Sequence, residues 1–245
     1  MKYSTILKQI EHRPFEYPKR AWTFYQEWNK AVFLHWEIDV KLIRPYLPKG
    51  IELDTLNGKT WVSLVAFDMN NIGIKNLPKP PYISDFQEIN IRVYIIKNGK
   101  PSVYFLNMEG SKRSSCKVLK MASKFPYRYS KMNRNESVYQ SNNKVFNDSF
   151  HIEYHLKNDS VKKDKTDTWL TERYAVFQDH KNHIIEYDVH HTEWPMQHII
   201  VKNVKINYPR FNHLINNKPN RIHYSSGVQV LTWDKICHKN ILKQI

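Results

Sequence analysis

The chain has 245 residues, 41% hydrophobic and 13% aromatic, enough to build a core and too apolar for a disordered segment. A mean hydropathy of −0.65, with no apolar run long enough to span a bilayer, excludes a transmembrane helix. The net charge of +15 is spread as lysines along the whole chain, without a helix-turn-helix, zinc finger or RNP-like aromatic motif, so neither nucleic acid nor a membrane is an expected partner.

Two cysteines, Cys116 and Cys237, far apart in sequence, argue against a disulfide scaffold or a zinc knuckle and fit a reducing cytoplasm. Met1 to Tyr17 carries scattered charge and no apolar centre, so no signal peptide is expected. Residues 1–21 read as a polar lead-in, residues 22–238 as a single β-dominated domain, and residues 239–245 as a tail.

In chain order, Ala31 to Ile38 predicts the first strand. Asp39 caps a short helix that Pro45 and Pro48 end. Ile51–Leu56, Asn57-Gly58 and Thr60–Met69 predict a hairpin, because Asn-Gly supplies the positive φ angles of a type I′ turn. A proline-rich loop then leads to Phe86–Tyr94, which alternates strictly. Ile89, Ile91 and Val93 share one face, and Glu88, Asn90 and Arg92 share the other, at a spacing of roughly 7 Å. That polar face either meets solvent or lines a barrel interior, where an acid and a base among aromatics would grip a small ligand. Asn98-Gly99 turns the strand into Ser102–Met108.

From Ser111 to Phe125 the period changes to that of a helix, with Val118, Met121, Ala122 and Phe125 on one stripe and lysines around it. Pro126 stops it. Strands are predicted again over Val138–Gln140, Phe150–Leu156, Trp169–Gln178, Ile184–His191 and His198–Ile206, with a charged loop from Asn158 to Thr168 and a short helix at Arg210–Ile215. Twelve histidines suggest no metal site: His151 and His155 share a strand face but stand about 13 Å apart, and no HExxH spacing occurs. No nucleophile elbow and no phosphate-binding glycine loop is present. Polar-aromatic clusters are more suggestive: His35-Trp36, Thr171-Glu172-Arg173-Tyr174, His191 to Trp194-Pro195, and His223-Tyr224-Ser225.

The ordered set His35-Trp36, Asp39 to Leu47-Pro48, Phe86-x-Glu88-x-Asn90-x-Arg92-x-Tyr94, Phe125-Pro126-Tyr127, Leu170 to Tyr174 and His223-Tyr224-Ser225 resembles the YqjF-like family. That bacterial group of unknown function belongs to the acetoacetate decarboxylase-like superfamily, and the resemblance covers residues 22–234. It implies a mainly β (α+β) fold: an antiparallel β-barrel with flanking strands and one principal helix around a small hydrophobic cavity.

The true decarboxylases carry a Schiff-base lysine and a neighbouring cation just after a helix and a proline. The matching places here hold Tyr127 and Arg128. A phenol forms no imine. Glu88 matches a pocket glutamate of those enzymes, and a second pocket acid falls at Ser63. The resemblance therefore implies the scaffold without the decarboxylase chemistry.

The expected site has Glu88 as acceptor or general base and Tyr127 as donor or general acid. Asn90, Arg92, Tyr94, Arg128, Ser63, His35, Glu172, Arg173 and His223 are the candidate ligand-binding residues, with no metal and no cofactor. The expected ligand is a small carboxylate or carbonyl compound. An acid–base enzyme on such a compound is the alternative, and a polyanion-binding face over Lys112–Arg134 a further one. Glu88 pairing with Arg92 across the strand would be a purely structural use of the same face. Association of copies through strand edges is left open.

Overall fold

The alternating stretch Phe86–Lys97 is buried on both faces. Ile89, Ile91 and Val93 are 0% exposed, and Glu88, Asn90 and Arg92 only 1%, 4% and 9%. A strand in this position needs cover on each side, and the topology supplies it. The structure, a computed structural model, describes residues 2–215 and 217–239.

The elements open with α1 (Lys2–Lys8), β1 (Phe24–Ile38), α2 (Val40–Ile43), β2 (Glu52–Leu53), β3 (Thr60–Ile74), β4 (Phe86–Lys97) and β5 (Lys100–Gly110). They continue with α3 (Arg113–Ser123), β6 (Tyr127–Tyr129), β7 (Lys131–Arg134), β8 (Val138–Asn143), β9 (Asp148–Ser160) and α4 (Lys165–Thr171). The last are β10 (Ala175–His180), β11 (His183–His191), β12 (Met196–Asn207), α5 (Asn212–Ile215), β13 (Arg221–Thr232) and β14 (Ile236–Lys239).

Seven strands form a ring in the order β13-β1-β3-β4-β5-β10-β11, and pairing of Val189, His190 and His191 with Thr232, Leu231 and Val230 closes it. Neighbours in the ring are antiparallel except β5 and β10, which meet in parallel at Val103 and Val176. From β13 the sheet runs on through β12, β9, β8 and β7. This extension covers the outside of the ring: Phe150, Ile152 and Tyr154 of β9 share a core cluster with Ile89, Ile91 and Val93. A second cluster, including Phe33, Phe67 and Phe105, lines the inside. The polar face of β4 therefore points into the lumen, and its apolar face is sealed beneath a second layer of sheet.

The mainly β architecture, the flanking strands and the single long helix agree with the sequence. Helix α3 ends as Lys124 turns left-handed (φ 65°) ahead of Phe125-Pro126. Asp39 caps α2, its side chain accepting from the Lys41 amide. The predicted hairpin at Asn57-Gly58 is only partly realised. Both turn residues have positive φ and Leu56 bridges Lys59, yet β2 pairs with the far end of β4. Both edges of β3 are already taken by β1 and β4, so β2 finds its partner where β3 has ended.

The strand predicted from Trp169 is a helix for its first residues. Asp164 and Asp167 build a reciprocal capping box that starts α4, which also occupies the end of the predicted charged loop. The first strand begins earlier than predicted, at Phe24, and β13, although central to the ring, was not among the predicted strands. Of the predicted tail, Lys239 ends β14 and residues 240–245 lie outside the described residues.

One glycine makes a ring contact possible. Gly227 in β13, with φ +131°, pairs with Asn29 of β1 beside the bulge that β1 makes against β3, and a Cβ there would stand 2.5 Å from the carbonyl oxygen of Trp28. Gly227→Ala is expected to lower stability by about 2 kcal/mol through strain and a backbone clash. Urea unfolding checks it, and an unchanged midpoint would contradict the packing described.

Candidate functional site

The lumen holds a cavity of about 490 Å³. Its walls are aromatic and aliphatic, with Trp28, Phe33, Phe67, Phe105 and Trp194 among them, and α3 borders its open side through Val118 and Ala122. Into this apolar space project Glu88, Asn90 and Arg92 from β4, Tyr127 from β6, and Thr171 and Arg173 from the end of α4.

Glu88 is almost wholly buried. The Tyr127 hydroxyl donates to its Oε2 at 2.7 Å, and Asn90 Nδ2 lies 3.4 Å from Oε1. Burial pushes the Glu88 carboxyl up to about 7, and the Tyr127 and Asn90 hydrogen bonds pull against it. Burial and the neighbouring carboxylate hold the Tyr127 phenol well above its ordinary range, so it stays a donor. Asn90 Oδ1 is buried without a partner. Tyr127→Phe removes the hydrogen bond that favours the carboxylate. The Glu88 titration midpoint, read by carbon NMR of labelled glutamate, is expected to rise, with a loss of about 2 kcal/mol at pH 8. A midpoint that stays or falls would contradict this assignment.

Arg92 does not pair with Glu88. Its Nη2 donates to the Leu170 carbonyl at 3.3 Å, its Nε has no partner, and its guanidinium lies against the Phe33 ring at 5.7 Å. Among the described residues Arg92 has no carboxylate within ion-pair distance. Arg173 differs: its Nη1 binds Asp54 Oδ2 at 2.5 Å and its Nε the Trp169 carbonyl at 2.8 Å, while Nη2 is unpartnered.

Three of the predicted residues lie one layer beneath the cavity rather than in its lining. Tyr94 donates to the Leu170 carbonyl at 2.9 Å, Ser63 lies 2.6 Å from the Tyr94 hydroxyl, and His35 Nδ1 is 2.6 Å from Ser63. Burial pushes the His35 imidazole well down, so it is neutral. His223 binds Asp167 at 2.9 Å and so holds α4 in place. Glu172 accepts from Lys163 and from the Trp194 amide, which fixes the Trp194 wall.

Arg128 is outside the lumen: it lies over the Phe146 ring at 4.0 Å. Side chains alternate along β6, so with Tyr127 turned inward Arg128 must turn outward. The walls Trp28, Phe67 and Phe105 were not predicted, since isolated aromatics in strands carry no signal beyond core packing. His191 and Trp194 belonged to a noted cluster that only ring closure brings to the site. Among the described residues lining the cavity the one lysine is Lys235, whose Nζ donates to the Ala122 carbonyl.

Residues 25–229 match the DUF2071 family, described as an uncharacterised conserved protein. The chain belongs to the DUF2071 family. The uncharacterised protein YqjF of Bacillus subtilis (strain 168) is 30% identical over 237 residues, covering 93% of this chain and 98% of that one.

Among solved structures, the fold is similar to acetoacetate decarboxylase from Legionella pneumophila (TM-score 0.62, 14% identity, 98% of this chain and 97% of that one). It is also similar to an acetoacetate decarboxylase-like enzyme from Sphingomonas wittichii RW1 (TM-score 0.61, 10% identity, 93% and 98%). A third is the enduracididine biosynthesis enzyme MppR complexed with the condensation product of pyruvate and imidazole 4-carboxaldehyde (TM-score 0.59, 10% identity, 93% and 92%). At these identities the likeness is one of fold. The DUF2071 chain thus has an acetoacetate decarboxylase-like architecture, as the resemblance implied. No described helix is long and apolar enough to cross a membrane. Among the described residues no group of three or more His, Cys, Asp or Glu is arranged to hold a metal ion.

Proposed function

We propose that this DUF2071 protein binds a small carboxylate or carbonyl compound in the lumen, without Schiff-base chemistry. The observation that carries the reading is Arg92: a guanidinium only 9% exposed, with an unpartnered Nε and no acidic partner within ion-pair distance among the described residues, facing a cavity walled largely by aromatic and aliphatic side chains. A buried cation without a counter-ion is costly, and an anionic ligand on that guanidinium removes the cost. Arg173 offers a second free N–H at the same end.

Matched by its helix and proline to the decarboxylases of the resemblance, the chain has Tyr127 at the place of their lysine, and a phenol bonded to Glu88 forms no imine. Borohydride added with acetoacetate is accordingly expected to leave the mass of the protein unchanged. Both cysteines are free, in keeping with a reducing cytoplasm.

A second reading has a specific observation in its favour. Glu88, poised near neutrality beside a phenol, has the properties of a general acid or base, and supports acid–base chemistry on the bound compound. The polyanion-binding reading is weaker. Lys112 is held by the Pro81 and Ser84 carbonyls, Arg113 lies over Tyr129, and Arg134 binds Asp68 and Tyr154.

The test is a thermal-shift screen of keto acids, hydroxy acids, lactones and aromatic carboxylates against the wild type and Arg92→Met. A ligand at 100 times its dissociation constant stabilises the native state by about 2.7 kcal/mol. The expected result is a carboxylate hit that Arg92→Met abolishes. Hits that survive the substitution would refute the role of Arg92. A hit then justifies an assay for turnover, in which loss on Glu88→Gln with retained binding would favour the enzyme.

A further inference from the structure

The two polar ends of the cavity are separated along β4. Arg92 and Glu88 lie four residues apart, about 13 Å along an extended strand. The pairings define what surrounds each level. Arg92 stands beside Phe105, Asn90 between Val65 and Met108, and Glu88 beside Phe67. Phe33, paired to Val65, completes an apolar belt at the middle level. The belt faces the stacked indoles of Trp28 and Trp194, whose centroids are 6.1 Å apart.

The two ends also differ in chemistry. The Arg92 end offers two unpartnered guanidinium nitrogens, Arg92 Nε and Arg173 Nη2. The Glu88 end has no cation in contact: the carboxyl touches Tyr127 and Asn90, and Asn90, only 4% exposed, has a buried Oδ1 with no partner. An unfilled acceptor beside a carboxyl group recognises a hydrogen-bond donor, while a second anion there would face Glu88 unscreened.

We infer that the occupant is an aromatic monocarboxylate with an uncharged hydroxyl at the end remote from its carboxylate. This rests on the reading of Arg92 as the anion anchor and adds what the far end accepts. The carboxylate lies on Arg92 and Arg173, the ring lies in the middle belt of Phe33, Val65 and Met108 with Phe105 and Phe67 at its two ends, and the hydroxyl donates to Asn90 Oδ1 or Glu88. Rings in such a belt pack edge or face against aromatic walls, which a flexible aliphatic chain does less well. The neutral far end sets the selectivity, because a dicarboxylate of the same length would place a second charge against Glu88.

The experiment is calorimetric titration of the full chain at pH 7.5 with three probes: 3-phenylpropionate, 3-(4-hydroxyphenyl)propionate and 3-(4-carboxyphenyl)propionate. The hydroxylated probe is expected to bind roughly tenfold more tightly than the unsubstituted one, the yield of one good buried hydrogen bond, and the dicarboxylate at least tenfold more weakly. Glu88→Met combined with Asn90→Leu, which removes both acceptors, should erase the difference between the first two. Equal affinity for all three, or a preference that survives the double substitution, overturns the two-ended occupant and leaves Arg92 as anchor. Failure of every probe to bind, or binding indifferent to Arg92→Met, overturns the anchor and this inference with it. The order of the probes is read on the wild type, so the test stands even where a variant folds poorly.

Discussion

Glu88→Gln is expected to keep its stability as the pH rises from 4.5 to 8, a range over which the unsubstituted protein loses about 3 kcal/mol from this group alone. The carboxyl has an ordinary value of 4.5 and is pushed up to about 7 by burial. A folded-state value above the unfolded one means that the native protein holds the proton more tightly. The contribution is therefore fully present below pH 4.5, where both states are protonated, and is lost as the pH rises through 7. Glutamine keeps the size and the acceptor for Tyr127 but has no charge to bury. Urea unfolding of both proteins at pH 5 and pH 8 checks this. The variant should be the more stable of the two at pH 8, and an equal pH dependence in both would show that Glu88 is not held near neutrality.

Asp54→Ala is expected to cost about 3–5 kcal/mol, more than an ordinary surface substitution, because it strands a buried charge. Arg173 and Asp54 have side chains only 3% and 9% exposed, and their contact joins the end of α4 to the chain beside β2. Burial pulls the Arg173 guanidinium below its ordinary range, and Asp54 opposes that pull. Removing both charges together, as in Asp54→Leu with Arg173→Met, should recover most of the loss, since a buried pair replaced by apolar groups of similar size is often neutral. Equilibrium unfolding of the single and double variants reads the coupling directly. A mild single variant, or a double variant as unstable as the single, would mean that the pair is not what holds α4 to the ring.

Local pattern made some parts of this protein legible and long-range pairing hid others. The period of β4 and the change of period at α3 are properties of neighbouring residues, and both elements stand where the pattern puts them. The direction of the β4 polar face was not readable. Its answer depends on β9 covering Ile89 and Ile91, and β9 enters the chain only after α3. Ring closure through His190 and His191 is likewise a contact between distant segments with no local mark.

The helix α4 was readable in principle from the spacing of Asp164 and Asp167, but Trp169 and Leu170 suggested a strand, and the cap decides. At the site, Glu88, Asn90, Arg92, Tyr127 and Arg173 line the cavity. The outward turn of Arg128 follows from the alternation that turns Tyr127 in. His35, Ser63 and Tyr94 form a hydrogen-bonded layer below the lining, a depth that sequence alone does not record.

The most direct test of the central claim, that the lumen is an anion site built on an uncommitted Arg92, is the nitrogen–proton NMR signal of Arg92 Nε. Assigned by comparison with Arg92→Met and followed during titration with 3-phenylpropionate, it is expected to move downfield and saturate as the guanidinium gains a carboxylate partner. A signal that stays fixed while the compound binds, or a chain that binds no carboxylate at all, would contradict the claim.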